Sequence, residues 1–239
     1  MHYFELICTA YIKRDISFRD SFEIISKYIS FSMAQINKLR ELHNDNRFKF
    51  YSFSNFYPIE KSKIYKSHNS YTFKLRSPDS NFIDILSKNL RENINNPNML
   101  IVQTEKQVVK ISFINELYTI TPTIITTESR LYWTMEKDGD IVKLSKQIHD
   151  NIEKKYNNFY KEKLSSRKNF IRLLALKNQK PQTIQLTRGA KKIRLFGNKF
   201  KIIPHEDTIS QRLAFMALSC GLGEKNSFGG GFCIRDKTE

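Results

Sequence analysis

Residues 221–231 read GLGEKNSFGGG and hold five of the eight glycines in the 239-residue chain. Glycine adopts positive φ angles and lets the backbone approach a partner closely, and successive free N–H groups in such a loop form a concave anion site. The stretch follows a helical apolar pattern over 210–218 and precedes a short predicted strand at 232–235. Dinucleotide-binding loops and P-loops have the reverse order, strand then loop then helix, so neither fits. We expect a phosphate-bearing partner, with a flexible C-terminal hinge as the alternative.

The charge of the chain also favours a polyanionic partner. Its 40 Lys and Arg residues outnumber its 24 Asp and Glu residues and give a net charge of +16 at pH 7. Such a positive field attracts polyanions, and nucleic acid is the favoured partner, ahead of an anionic membrane surface. No apolar run approaches the ~20 residues of a membrane-spanning helix, and the N-terminus lacks the basic and apolar regions of a signal peptide. We therefore expect a cytoplasmic protein that binds nucleic acid.

The cysteines and histidines do not form a metal-binding pattern. Cys8, Cys220 and Cys233 are odd in number and lack C-x-x-C spacing, which argues against disulfides and zinc. Four histidines also lack metal-ligand spacing: His2, His68, His149 and His205. We expect reduced, packed cysteines, surface or packing histidines, and no metal or cofactor.

The first half of the chain has the strand, helix, strand, strand, helix, strand order of a ferredoxin-like domain. Phe18, Phe22 and Ile25 follow the helical spacing of three and four, and a capping signal at 77–80 precedes the next helix. The predicted elements are a strand at 3–12, a helix around 18–29, a helical piece at 36–42, strands at 48–53 and 71–75, a helix at 82–90, and strands at 99–103 and 108–113.

The second half repeats this order more loosely, without a repeat at the level of sequence. An alternating stretch opens at 119–126, and Asp138-Gly139 marks a turn. The other predicted elements are a helix at 144–163, strands at 170–176, 183–187 and 193–203 with a turn at 197–198, a helix at 210–218 and a strand at 232–235. The sequence predicts an α+β fold of two tandem ferredoxin-like (RRM-like, βαββαβ) domains, 1–118 and 119–239, with a C-terminal glycine-rich loop.

The stretch at 221–231, closing a chain of this predicted architecture, resembles the C-terminal glycine-rich signature of the CRISPR-associated RAMP proteins, above all that of the Cas6 type. Gly230 departs from the family, which usually carries a bulky residue between the last two glycines. The resemblance implies a metal-independent endoribonuclease that cuts precursor CRISPR RNA within its repeats. The RNA-binding residues that it implies are Gly221, Gly223, Lys225, Asn226, Ser227, Gly229 and Gly231.

A second match lies at 42–54, which resembles the family's histidine-bearing segment and the strand that follows it. The Thr-Ile-Thr-Pro run at 119–122 resembles the opening of the family's second domain, so the resemblance covers almost the whole chain. It implies that His43, Tyr28 and Lys49 are catalytic. The implied reaction is attack of the 2′-hydroxyl on the adjacent phosphate, which leaves a 2′,3′-cyclic phosphate and a 5′-hydroxyl.

This reaction needs two proton transfers and a group that offsets the charge growing on the phosphate. His43 suits either proton transfer, and Lys49 suits charge stabilisation. Tyr28 would position the hydroxyl, since a phenol with a pKa of about 10 is a poor base. Taken alone, His43 would be a surface residue at a helix end, Lys49 an outward strand residue, and Tyr28 a core or rim residue of an amphipathic helix.

Basic residues are densest on the predicted strands before the last helix. They are Arg188, Lys191, Lys192, Arg194, Lys199 and Lys201. Alternation along a strand places part of this run on one face, where cations contact phosphates. We expect Arg188, Lys191, Lys192 and Arg194 to hold RNA in a groove that the stretch at 221–231 also borders. A solvated hairpin is the alternative.

Two other function classes stay open. A non-catalytic RAMP subunit would bind guide RNA without cutting it, and would have no reason to keep the histidine, tyrosine and lysine together. A generic RNA-binding protein would use aromatic platforms on its sheets and would leave the glycine stretch unexplained. The expected partner is CRISPR repeat RNA; further subunits of an interference complex and a homodimer are left open.

Overall fold

The computed structural model describes residues 1–44, 47–127, 131–166 and 168–236, with only the backbone at 42–44. The strands are β1 His2–Ile12, β2 Ile16–Ser17, β3 Ser52–Phe53, β4 Ile64–Tyr65, β5 Ser70–Ser77, β6 Met99–Lys110, β7 Leu117–Thr119, β8 Ile171–Leu176, β9 Gln182–Arg188, β10 Lys191–Gly197, β11 Phe200–Pro204 and β12 Cys233–Arg235. The helices are α1 Phe18–Ala34, α2 Asn37–Asn44, α3 Ser80–Glu92, α4 Ile141–Tyr160 and α5 Thr208–Cys220.

The first sheet has the antiparallel order β3-β5-β1-β6. Every second residue of β1 from Leu6 to Ile12 is fully buried, and these side chains share a core with apolar residues of α1 and α3. Side-chain caps begin both helices: the Ser17 hydroxyl accepts from the N–H of Asp20, and Asp79 accepts from the N–H of Phe82. The predicted helix starts are therefore confirmed.

The second sheet has the antiparallel order β12-β7-β11-β8, and α4 and α5 pack against it. Strands β9 and β10 form a separate hairpin between β8 and β11. Helix α5 is buried from Ser210 to Cys220 except at Arg212, as its apolar composition requires. The predicted mixture of helices with antiparallel sheets is confirmed, and β7 extends across the predicted boundary at 118/119.

The two halves of the chain complete each other's cores. Apolar side chains of the second half enter the first core, and apolar side chains of the first half enter the second. They are Ile124, Ile184 and Leu195 in the first core, and Tyr3, Ile111 and Ile114 in the second. The halves are therefore joined by shared burial of apolar surface, which is the main stabilising term in folding.

Three of the first-half strand predictions are wrong in extent. The two strands predicted at 99–103 and 108–113 are one strand, β6, which pairs with β1 along its length and shifts register at Thr9 and Ala10. The strand predicted at 48–53 shrinks to β3, because Phe50 adopts a left-handed φ of 46° and a left-handed residue does not continue a strand.

Two second-half predictions are also corrected. Residues 119–126 make isolated bridges, such as Thr123 with Asn198 and Ile124 with Glu224, instead of a continuous strand. Strands β10 and β11 do not pair across the turn at 197–198, because β10 pairs with β9 while β11 pairs with β7 and β8.

All three cysteines are buried and unbridged, as predicted. Within the described ranges, no helix combines the length and apolarity needed to cross a membrane. The same part of the chain contains no cluster of three His, Cys, Asp or Glu side chains that would hold a metal ion.

Candidate nucleic-acid interface

The glycine-rich loop, residues 221–231, is folded back on itself between α5 and β12. The N–H of Leu222 donates to the carbonyl of Gly231 at 2.8 Å and joins the two arms of the loop. The N–H of Glu224 donates to Ile124 and that of Gly231 to Pro122, both at 2.8 Å. The loop is thus fastened to the segment that follows β7.

The glycines of this loop face protein. Gly221, Gly223, Gly229 and Gly231 are all buried and all have φ between 66° and 91°. A Cβ atom at Gly229 would overlap the ring of Phe22, so this glycine lets the loop close onto α1. These four glycines therefore shape the loop from within, and their contact with RNA stays a prediction.

The tip of the loop remains available to a ligand. Lys225 is exposed, and Asn226 and Ser227 are half-buried. Asn226 and Ser227 begin a single 3₁₀ turn, Asn226–Phe228. Lys225, the residue before the turn, has a left-handed conformation, and no side chain caps the turn. The first N–H groups of such a turn have no partner within it. Of the predicted loop residues, these three are therefore the candidates for contact with RNA.

A buried lysine that is not among the predicted site residues lies beneath the loop. Lys155 of α4 is 3% exposed, and its Nζ donates to the carbonyls of Gly221 and Gly223 at 2.9 and 2.6 Å and to Oδ1 of Asn226 at 2.7 Å. Burial lowers the pKa of Lys155. The signal was present in the sequence, because Lys155 lies three residues after the inward-facing Ile152.

Both the glycine-rich loop and the β9–β10 hairpin dock on α1. The Ser26 hydroxyl donates to the carbonyl of Ser227 at 2.8 Å. One turn earlier, Glu23 accepts from the N–H of Thr187 at 2.7 Å, and Asp20 in the first turn accepts from the side chain of Gln185. A single helix of the first half therefore holds the two predicted RNA-binding pieces of the second half side by side.

The hairpin, called the basic hairpin below, presents its cations to solvent. Arg188, Lys191, Lys192 and Arg194 are all exposed, and Ile184 and Leu195 enter the first core. The register pairs Arg188 with Lys191 and places Lys192 and Arg194 on the opposite face. The cations therefore line both faces of the hairpin near its tip.

The two remaining lysines of the predicted basic run lie apart from the hairpin. Lys201 on β11 pairs with Glu116 at 2.5 Å. Lys199 is half-buried, and burial lowers its pKa, with smaller contributions from Lys177 and Lys63. Lys199 belongs to a cleft between the halves.

This interdomain cleft has a volume of about 700 Å³ and is lined by residues of α1, β5, the 54–63 segment, the 120–122 segment and β12. Its walls carry cations, including Arg19, Lys63 and Lys74, and a 70% exposed aromatic ring, Tyr57. Cations bind phosphates, and exposed aromatic rings stack on unstacked bases, so this combination suits single-stranded nucleic acid. Local sequence patterns do not reveal this cleft, because its walls come from segments far apart in the chain.

Tyr28, which the family resemblance implies to be catalytic, lies in the first core. The side chain is fully buried, its hydroxyl donates to the carbonyl of Leu90 at 2.7 Å, and it accepts from the N–H of Ile101 at 3.2 Å. Burial also raises the pKa of Tyr28. The hydroxyl of Tyr28 is therefore hydrogen-bonded within the first core, and its catalytic role stays a prediction.

Lys49 lies in a segment that meets the glycine-rich loop. It is half-buried, and burial lowers its pKa. Directly after it, the ring of Phe50 packs on Phe159 of α4 with centroids 5.3 Å apart, and Ser52 lies against Gly221. The 47–52 segment, the C-terminal part of α4 and the loop thus adjoin. The backbone of His43 lies near the end of α2, and its side chain is outside the described residues.

Known proteins place this arrangement in a family. The family model "CRISPR associated protein Cas6, C-terminal" matches residues 104–234, more than half of the chain. A relative from Methanocaldococcus jannaschii, CRISPR-associated endoribonuclease Cas6 2, is 28% identical over 231 residues, which cover 89% of this chain and 92% of the relative.

Solved structures agree in fold. A CRISPR associated protein Cas6 has a TM-score of 0.71 at 21% identity, over 98% of this chain and 100% of its own. A Cas6-related protein from Pyrococcus furiosus has a TM-score of 0.69 at 14% identity, over 99% and 100% of the two chains. The chain belongs to the CRISPR-associated Cas6 family.

Proposed function

We propose that the chain is a metal-independent endoribonuclease that cuts precursor CRISPR RNA within its repeats. The observation that carries the proposal is the meeting of the 47–52 segment, the glycine-rich loop and the C-terminal part of α4 at one place. Membership of the Cas6 family supports it, as does the name of the relative from M. jannaschii, an endoribonuclease. We further propose that the two halves are ferredoxin-like units. When the four strands of each sheet are numbered in chain order, both sheets have the same spatial order, 4-1-3-2.

The proposed reaction is an internal transesterification. The 2′-oxygen attacks the neighbouring phosphorus as the bond from phosphorus to the 5′-oxygen breaks; one proton leaves the 2′-hydroxyl and another reaches the 5′-oxygen. His43 takes part in one of these transfers, and the ammonium of Lys49 offsets charge on the phosphate.

The RNA path runs along α1. In the proposal, the interdomain cleft, the basic hairpin and the tip of the glycine-rich loop follow one another beside this helix. Exposed cations on both faces of the hairpin hold the phosphate backbone, and aromatic rings of the cleft stack on unpaired bases. The expected partner is CRISPR repeat RNA.

Cleavage of the host's own CRISPR repeat RNA in EDTA tests the proposal. We compare wild type, His43→Ala and a substrate with a single 2′-deoxy sugar beside the cut. His2→Ala, a change at an exposed histidine outside the proposed site, is the matched control. A single cut that is lost with His43→Ala and with the deoxy sugar, and kept with His2→Ala, is expected. No cut by wild type in EDTA overturns the proposal.

Charge reversal tests the RNA path separately. Lys191→Glu combined with Arg194→Glu is expected to raise the Kd for repeat RNA at least tenfold. It should also reduce the slope of log affinity against log salt by about 0.7 for each lost phosphate contact with single-stranded RNA. Lys88→Glu, on the exposed side of α3, should change neither quantity. Unchanged affinity of the hairpin variant would remove the hairpin from the path.

A non-catalytic RNA-binding subunit is the second candidate, and the burial of Tyr28 favours it. A protein that had given up cleavage would have no use for an accessible tyrosine at this position. Tight binding of repeat RNA that stays whole in every lane of the EDTA experiment would support this candidate over the nuclease.

A further inference from the structure

Lys155 lies deep in the protein, under the glycine-rich loop. Only 3% of its surface is exposed, and a lysine is almost never so buried unless it is paired, because the ammonium group loses its hydration. Among the ion pairs of the described residues, Lys155 takes part in none. The carboxylate of Glu224, on the same loop, bonds instead to the N–H and hydroxyl of Thr126 at 3.0 and 2.6 Å.

The ammonium group is satisfied by one segment of chain. An ammonium has three N–H donors, and Lys155 has three acceptors: the carbonyls of Gly221 and Gly223 and Oδ1 of Asn226. All three acceptors are neutral and lie within six residues of one another. The positive charge is therefore stabilised by the shape of this loop, and the loop in turn needs the charge to satisfy its inward-facing oxygens.

Asn226 transmits this hold to the other arm of the loop. With Oδ1 on Lys155, its Nδ2 donates to the carbonyls of Leu222 and Gly230 at 3.1 and 2.9 Å. The amide side chain thus spans the interior of the loop and links both arms to α4. A Cβ at Gly221 would lie 2.6 Å from Nδ2 of Asn226, so the glycine leaves room for this side chain.

We propose that Lys155 is a positioning residue that holds the glycine-rich loop in its RNA-binding shape; this rests on the function proposed above. Lys155 does not touch RNA. It acts through Asn226 and the two glycine carbonyls, and so fixes where Lys225 and Ser227 stand at the surface. Without the ammonium, three buried oxygens lose their donor and the loop loses its link to α4.

Lys155→Met tests the proposal, with Lys154→Met as the matched control. Both variants remove one lysine charge from adjacent positions of α4, but Lys154 is exposed. Hydrogen exchange of the peptides covering 221–231 and the Kd for repeat RNA are measured where thermal unfolding shows each variant to be folded. For Lys155→Met we expect loop exchange and Kd both to rise at least tenfold, while exchange in β1 and β5 stays within twofold of wild type. For Lys154→Met all of these stay within twofold.

Three results would overturn the proposal. The first is a folded Lys155→Met protein whose loop exchange and Kd both stay within twofold of wild type. The second is exchange that accelerates equally in every element, since that marks a loss of global stability alone. The third is a loop that loosens while RNA affinity is kept. If Lys155→Met does not fold, Lys155→Gln replaces it, because the amide keeps two donors.

Failure of the proposed function gives a different result. If wild type does not bind repeat RNA, the nuclease proposal fails. If wild type binds and Lys155→Met binds equally well, the role of Lys155 alone is refuted. Loop exchange needs no RNA and separates the two cases.

Discussion

Replacing Arg76 with methionine should strongly lower the free energy of unfolding, because it removes one partner of a buried ion pair. The guanidinium donates from Nε to Glu5 at 2.5 Å and from Nη1 to the carbonyl of Cys233 in the other half, and lies 4.5 Å from the ring centroid of Phe232. Arg76 is 6% and Glu5 3% exposed. The pair therefore joins the two halves at the floor of the interdomain cleft.

The magnitude follows from what remains after the change. Glu5 would stay buried, and among the described contacts its only remaining cation would be Lys74. The Nζ of Lys74 lies 2.7 Å from Oε1 of Glu5, and the Lys74 side chain is 47% exposed. Breaking a buried pair by removing one partner costs about 3–5 kcal/mol. Removing the exposed partner costs about 0–1 kcal/mol. We expect Arg76→Met to lose about 4 kcal/mol and Lys74→Met less than about 1 kcal/mol by these figures.

Urea unfolding followed by circular dichroism measures both values. Methionine keeps much of the volume of arginine, so the comparison reports mainly the charge. The double change Glu5→Leu with Arg76→Met should recover more than half of the loss, because a buried apolar pair carries no desolvation penalty. Equal losses for Arg76→Met and Lys74→Met, or no recovery in the double variant, would refute the reasoning.

Two further outcomes concern other sites, and a third concerns the pH dependence of the Glu5–Arg76 pair. Gly231→Ala should destabilise the protein by at least about 2 kcal/mol in urea unfolding, since its Cβ would overlap the backbone of Leu222, whereas Gly189→Ala, also at positive φ but with open space around it, should cost about 1 kcal/mol. Tyr28→Phe should lower stability by about 1–3 kcal/mol, because Ile101 loses its acceptor, while the cleavage rate of the folded protein stays within twofold. Burial raises the pKa of Glu5, but Arg76 and Lys74 outweigh burial and hold it below its usual range. The resulting stability is present above the usual glutamate pKa of about 4.3 and is lost as pH falls through the lowered value. Thermal unfolding across acid pH should show this loss in wild type and a smaller one in Arg76→Met.

Each of these outcomes has a clear opposite. Equal losses for the two glycine variants would mean that backbone conformation, and not crowding, governs both sites. A Tyr28→Phe protein that keeps full stability but no longer cuts RNA would indicate a catalytic role for the Tyr28 hydroxyl. If wild type and Arg76→Met lose thermal stability equally as the pH falls, the lowered pKa of Glu5 does not account for the loss of stability in acid.

Local pattern was enough to predict most helices of this fold. Helices α1, α3, α4 and α5 follow from apolar spacings of three and four, because an inward stripe is a property of the helix itself. Phe50 shows where local pattern fails. Its alternating neighbours predict a strand, but packing on Phe159 of α4 holds it in a left-handed conformation that only tertiary contacts favour.

The candidate site was harder to predict, because side-chain chemistry does not reveal burial. Tyr28 lies three residues after Ile25 on the inward stripe of α1, so periodicity alone indicates the core, whereas the family resemblance indicated catalysis. The glycines of the loop suggested an anion cradle, but Gly229 is needed for close approach to Phe22. Lys155 carries the opposite lesson, since a charged residue on an inward stripe is a signal of a buried role.

The sharing of the two cores has a consequence for synthesis of the protein on the ribosome. The N-terminal half emerges first, without the side chains of Ile184 and Leu195 that complete its core. Ser26 of α1 likewise emerges long before Ser227, its partner. Folding of the first half is therefore finished only after the basic hairpin and the glycine-rich loop have been made. The nascent chain acquires the last residues of its first core and its predicted RNA-binding surface together, only after the first half has been made.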